Sequence, residues 1–178
     1  MTSHRFNPQL KFIRSDYPGN VLVNNRFVNE DRVFDLSYGK LFRWLFSKNP
    51  QRDEKRKDTR RLIPKPDHRI FANGPDGFAW LGHASFLFRI NNKRILTDPA
   101  LYSLPNLKRQ FPSPFGTQEL RDLDYILLSH SHRDHFDVRS MREILRVNPD
   151  VKIYCPLRMA PLVRAVGGKN ITEAGWYQ

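Results

Sequence analysis

The sequence predicts an α/β protein with a layered sheet, and three observations carry that prediction. From Tyr125 to Thr172, short apolar runs alternate with segments of helical periodicity in the order β-α-β-α-β, the pattern of a sheet with helices packed on it. Upstream, the apolar runs Ser85 to Ile90 and Arg94 to Thr97 are joined by Asn91-Asn92, a pair that tolerates positive φ and closes a hairpin. The chain has 178 residues, 39% of them hydrophobic and 27% charged, enough for one domain with a sizeable core.

Two regions follow from the pattern, 1–65 and 66–178. The first holds strand-like or irregular patches from Asn20 to Val28, then a helix from Leu36 to Lys48 capped by Asp35 or Ser37. In that helix Tyr38, Leu41, Phe42, Leu45 and Phe46 recur at helical spacing with Trp44 beside them, and Lys40, Arg43 and Lys48 take the remaining faces. Gln51 to Arg61 reads as a solvated basic connector, ending at Pro64-Lys65-Pro66. In the second region Phe78 to Leu81 and Ser85 to Ile90 read as strands bent at Gly82. Pro99 to Gln118, with four prolines and Gly116, is a long loop of the kind that often carries function. Tyr125 to Ser129 is a buried strand. Asp137 to Val147 is a helix with Val138, Met141, Ile144 and Leu145 on one face, and Val151 to Cys155 is the next strand. Pro156 to Val166 reads as a helix with Gly167-Gly168 after it, and Asn170 to Thr172 as a last short strand.

The net charge of +12 is concentrated between Lys40 and Ile70, where eleven Lys or Arg side chains face four acids. A helix with aromatic and leucine side chains among cations suits an anionic membrane surface, and a helix packed on its own domain needs the same stripe. Nucleic acid is disfavoured as a partner, because no recognition motif or aromatic platform accompanies the charge. The single cysteine, Cys155, excludes an internal disulfide and fits a reducing compartment; ending an apolar run, it reads as a packed side chain. No stretch near the N-terminus has signal-peptide character, and none approaches the ~20 apolar residues of a membrane span. The expected location is cytoplasmic, with peripheral membrane contact through the aromatic helix.

Six residues, His130-Ser131-His132-Arg133-Asp134-His135, hold three of the chain's six histidines in one turn after a buried strand. Imidazole nitrogen and carboxylate oxygen suit zinc, and also manganese or iron. His130 and His132 are two apart, so an extended backbone points both to one side. Asp134 and His135 diverge from that pair as the chain turns into the helix, towards a second metal. Helix capping would account for one carboxylate and leave three imidazoles unexplained. Asp98, ending its strand before a proline, reads as a hydrogen-bonding brace for this turn. His83, beside Gly82 in the strand bend, reads as a satisfied structural histidine ahead of a contact to substrate or to a metal ligand.

The same residues carry a family resemblance. The segment from Asp124 to His135, with Trp80-Leu81-Gly82-His83-Ala84-Ser85-Phe86-Leu87-Phe88 and Leu96-Thr97-Asp98-Pro99 upstream, resembles the metallo-β-lactamase fold. It is most similar to the branch holding N-acylphosphatidylethanolamine-hydrolysing phospholipase D and its bacterial relatives, over residues 69–178. The resemblance implies an αββα sandwich with two Zn2+ per complete site, Mn2+ or Fe2+ being substitutes. It implies that His130 and His132 bind the first metal, that Asp134 and His135 bind the second, and that Asp134 also orients the nucleophile or accepts its proton. The implied reaction is hydrolysis of a phosphodiester in a phospholipid or related amphiphile; a lactone or another small molecule is the alternative substrate.

Members of that family draw a further histidine, a bridging aspartate and a last histidine from their second half, whereas no histidine follows His135 here. The chain therefore reads as the first half of the sandwich behind an N-terminal basic extension, with four of seven expected ligands. Loose metal binding without turnover is the second functional expectation. A half-sandwich exposes an apolar sheet face and an edge strand, which favours self-association or pairing with the missing C-terminal half.

Overall fold

A computed structural model describes residues 2–29, 37–60, 63–71, 75–103 and 108–178. The first element is a small antiparallel sheet of β1 (Thr2–Arg5), β2 (Asn20–Val23) and β3 (Arg26–Phe27). Asn24 and Asn25, both at positive φ, close its second turn. This sheet is tied to the far end of the chain. Asn7 Nδ2 donates to the Glu173 carbonyl at 2.7 Å, Trp176 N donates to Asn20 Oδ1 at 2.9 Å, and Tyr17 meets Tyr177 edge-on.

The aromatic helix forms as α1 (Tyr38–Phe46), and Ser37 is its cap, its Oγ accepting from Lys40 N. The alternative cap Asp35, with Leu36, lies outside the described residues. Packing against the domain is not observed among the described residues: none of the α1 side chains is buried. The stretch read as a connector contains a short helix, α2 (Arg52–Lys57). Asp53 and Glu54 in its first turn and Lys55, Arg56 and Lys57 in its last complement the helix dipole, a local preference that overrides the charge run. A 3-10 turn, His68–Phe71, leads towards the main sheet.

That sheet contains β4 (Gly77–Gly82), β5 (Ser85–Ile90), β6 (Lys93–Thr97), β7 (Tyr125–Leu127), β8 (Lys152–Pro156) and β9 (Asn170–Ala174) in simple sequential order. The first three strands are antiparallel and the last four parallel. Asn91 and Asn92 take positive φ and close the β5–β6 hairpin, as their pairing predicted. Between the parallel strands lie α3 (Val138–Val147) and α4 (Ala160–Ala165). The α3 helix is capped by Asp137, whose carboxylate accepts from Ser140 N at 2.9 Å. Its buried residues are Ser140, Met141, Ile144 and Leu145, whereas Val138, predicted on that face, stays exposed. The α4 helix is shorter than predicted, because Pro156 still belongs to β8, paired with Ala174, and Arg158 turns at positive φ.

One face of the sheet builds the core. Leu81, Leu87, Leu96, Ile126, Ile153 and Cys155 point into a cluster with Met141, Ile144 and Val163 of the helices. Burial holds the Cys155 thiol up at about 11, so it is a packing residue. The opposite face carries two cross-strand rows. Phe78, Phe88, Ile95, Tyr125 and Lys152 form one, and Trp80, Phe86, Thr97, Leu127 and Tyr154 the other. Their rings contact one another, yet Phe78, Trp80 and Leu127 remain exposed. One sheet with helices on one face is the α/β arrangement of half an αββα sandwich.

Candidate metal centre

Strand direction assembles the site. β5 reverses β4 and β6 reverses β5, so β4, β6 and β7 run the same way and end at one edge. His83 follows the end of β4, Asp98 the end of β6, and Ser129 with His130 the end of β7. The carboxyl ends of parallel strands are where open α/β sheets place ligands.

Each turn at that edge has a physical cause. Gly82 takes φ +105, and a Cβ there would collide with the Arg109 guanidinium. Arg109 reaches back from the long loop to donate to the carbonyls of Leu81, Ala100 and Phe111, pinning the loop over the strand end. Residues 104–107 of that loop, Pro105 included, lie outside the described residues. His83 also sits at positive φ, held by the Trp80 indole N–H donating to its carbonyl at 2.9 Å. Buried Ser85 donates to the Asp98 carbonyl at 2.6 Å and accepts from Ala100 N at 3.0 Å, fixing the turn after β6.

Asp98 braces the histidine turn, the role its strand-end position predicted. Ser129 N and Ser129 Oγ donate to its two carboxylate oxygens at 2.7 and 2.6 Å, and its Oδ2 lies 3.0 Å from His135 Nδ1. That contact fixes the His135 ring and leaves Nε2 facing outwards. The turn itself closes with the amides of His135 and Phe136 both donating to the His132 carbonyl, and Phe136 is buried as its anchor.

All four predicted ligands gather at this edge. His130 Nε2 lies 3.1 Å from His132 Nδ1, and the His130 and His135 ring centroids are 4.0 Å apart. Two nitrogens on one tetrahedral zinc, each at about 2.0–2.1 Å, lie about 3.3 Å from each other, so the first pair has the separation that shared ligation needs. Asp134 Oδ2 lies 3.7 Å from His135 Nε2. The structure adds His83, for which the sequence favoured a structural role over a contact to a ligand or substrate: its Nε2 is 3.0 Å from Asp134 Oδ2 and the residue is exposed. Ligand atoms of His83, Asp134 and His135 all lie within 4.8 Å of one another. The usable signal was Gly82, a bend that ends its strand at the same edge as the histidine turn.

Electrostatics favour the ligand forms of His130 and Asp134. Burial, with His135 and His132 nearby, lowers the His130 pKa and keeps its imidazole neutral. For Asp134 burial works against ionisation. A backbone hydrogen bond and the charges of His135 and His83 outweigh it, and the carboxyl falls below its usual range. Imidazole nitrogens beside a carboxylate are the donor set of a divalent transition-metal site.

A cavity of about 300 Å³ adjoins Asp134 and His83. Trp80 and Phe111, in edge-on contact at 5.5 Å, give it an apolar wall, and Tyr102, Lys108 and Arg109 supply polar atoms and charge.

Part of the chain is similar to known proteins. Residues 93–174 match the family model of the Beta-lactamase superfamily domain. The N-acyl-phosphatidylethanolamine-hydrolyzing phospholipase D 1 of Caenorhabditis elegans is 32% identical over 108 residues, which are 54% of this chain and 30% of that protein. A metal-dependent hydrolase of Caldivirga maquilingensis is 46% identical over 56 residues, 32% of this chain and 22% of that one. The chain thus spans less than a third of the length of either relative. Among solved structures, isothiocyanate hydrolase from Delia radicum gut bacteria superposes with a TM-score of 0.44 at 24% identity, over 53% of this chain and 39% of the other.

Proposed function

We propose that this chain carries the metal-binding turn of a hydrolase that cleaves phosphodiesters, with a phospholipid or related amphiphile as substrate. One observation carries the proposal: three imidazoles of the turn, Asp134 and His83 converge at the strand ends beside a cavity that joins apolar walls to cations. The likeness to a phospholipase D supports the phosphodiester reading, and that to a metal-dependent hydrolase supports hydrolysis with a metal.

His130 and His132 would hold one cation, and Asp134 and His135 the second, with His83 in reach of the latter. Zinc is the first choice for these donors, with manganese or ferrous iron as alternatives. When bound, such cations supply Lewis acidity and ease the ionisation of water at neutral pH. The remaining work falls to the chain. Asp98 and Ser129 hold the turn in one geometry. Asp134, ionised, orients a water or takes its proton at Oδ2. Lys108 offers a counter-charge for a phosphate, while Trp80 and Phe111 offer an apolar surface for an acyl or alkyl chain and exclude water from it.

A second reading is metal binding by these residues without turnover. Hydrolysis of bis(p-nitrophenyl) phosphate by the zinc-loaded protein, with a lactone as comparator and Asp134→Asn as control, tests the reading. Phosphodiester turnover that needs zinc and is lost in the variant is the expected result. Turnover of the lactone alone would replace the phosphodiester assignment, and bound zinc with neither activity would favour the second reading.

A further inference from the structure

We infer that α1 and the basic segment after it form a surface that lies on an anionic membrane. With successive residues about 100° apart, Leu41, Leu45, Tyr38, Phe42 and Phe46 occupy one continuous arc of roughly 140° of the helix. Lys40 and Arg43 stand opposite, and Trp44 falls on the border between arc and cations. A stripe of this kind ordinarily packs against its own domain, whereas among the described residues this one is left uncovered. Tyr38, Trp44 and Phe46 are 75, 71 and 77% exposed, Phe42 is 62% and Leu45 59% exposed, and the helix buries no side chain.

Charge identifies the occupant. Between Lys40 and Arg60 there are eight Lys or Arg side chains against three acids. α2 sets Lys55, Arg56 and Lys57 in its last turn, so the cations continue beyond the aromatic stripe. An apolar protein groove would be matched by the stripe but gains nothing from this charge. Nucleic acid would be matched by the charge but gains nothing from five exposed apolar side chains on one arc. An interface of anionic lipid headgroups over acyl chains takes both: the ring of Trp44 at headgroup level, Phe42, Phe46 and the leucines below it, and the lysines and arginines among the phosphates. No described helix is long and apolar enough to cross a membrane, so the contact is made along the surface.

Vesicle co-sedimentation of the intact chain tests this independently of any hydrolysis. The probes are phosphatidylcholine vesicles with and without phosphatidylglycerol, and the variants are Phe42→Glu with Trp44→Glu, and Lys40→Glu with Arg43→Glu. Because these side chains are exposed, thermal unfolding of the variants stays at the wild-type temperature. Wild type is expected to pellet with the anionic vesicles only, and each double variant to lose about tenfold in partition. Tryptophan quenching by brominated acyl chains is expected in wild type and reduced in Trp44→Phe, which still pellets. Equal pelleting of all variants, or equal pelleting with neutral vesicles, would overturn the inference. So would a drop in molecular mass of the variants without vesicles, which would make the stripe a contact between copies, or competition by duplex DNA that leaves the Phe42→Glu variant unaffected.

Discussion

His83 Nε2 stands 3.0 Å from Asp134 Oδ2, although 51 residues separate them in sequence. The contact joins the bend after β4 to the turn after β7 and makes His83 part of the candidate metal centre. Replacing it with alanine removes one of three donors around the Asp134–His135 side. His83→Ala is therefore expected to weaken zinc binding about tenfold or more, read by competition with a chromophoric chelator. Wild-type affinity in this variant would return His83 to a structural role.

Asp98 touches the site through Ser129 and His135. Asp98→Asn keeps the shape and one oxygen, so the fold survives, but the charge that orients the His135 ring is gone. Zinc affinity is expected to fall about 10- to 100-fold with an unchanged circular dichroism spectrum. Loss of folded structure instead would make Asp98 a fold determinant and leave its bracing role unsupported.

Gly82 is constrained twice, by φ +105 and by the Arg109 guanidinium occupying the space of a Cβ. Gly82→Ala is expected to cost about 1–3 kcal/mol in denaturant unfolding, since both the backbone and the Arg109 bonds to Leu81 and Ala100 are disturbed. A change within about 0.5 kcal/mol, the range of an ordinary surface substitution, would contradict this.

Asp124 immediately precedes the strand that delivers the histidine turn, accepting from Lys93 Nζ at 2.7 Å and Arg94 N at 2.9 Å. Burial raises its pKa, but those two donors lower it further, and the carboxyl lies below its ordinary value. A depressed folded pKa means that its contribution to stability is complete above the unfolded value of about 3.9 and is lost as pH falls through the folded one. Asp124→Asn is expected to lose about 1–2 kcal/mol at neutral pH, the difference from wild type shrinking below about pH 4. A pH-independent difference would point to lost packing.

Much of the architecture was legible in the sequence. The β-α-β-α-β alternation gave the parallel strands, Asn91-Asn92 the hairpin, and the packed position of Cys155 followed from its apolar run. The spacing of His130, His132, Asp134 and His135 was sufficient to group them at one strand end. What it could not supply was long-range. His83 reaches Asp134 only because three strands end at the same edge, a property of sheet direction and not of local pattern. Arg109 looked like one more surface cation in a basic chain, yet its guanidinium is spent on three backbone carbonyls. The α2 helix was hidden because a run of charge reads as solvated until its acids and bases are sorted to opposite ends.

The central claim is that the side chains of residues 130–135 hold a divalent cation. Zinc-edge X-ray absorption on protein loaded with one equivalent of zinc tests it most directly. The account predicts a shell of nitrogen and oxygen at about 2.0–2.1 Å with the outer scattering of at least two imidazoles, lost when His130 and His132 are both changed to alanine. An oxygen-only shell without imidazole scattering, or a spectrum identical in that variant, would contradict it.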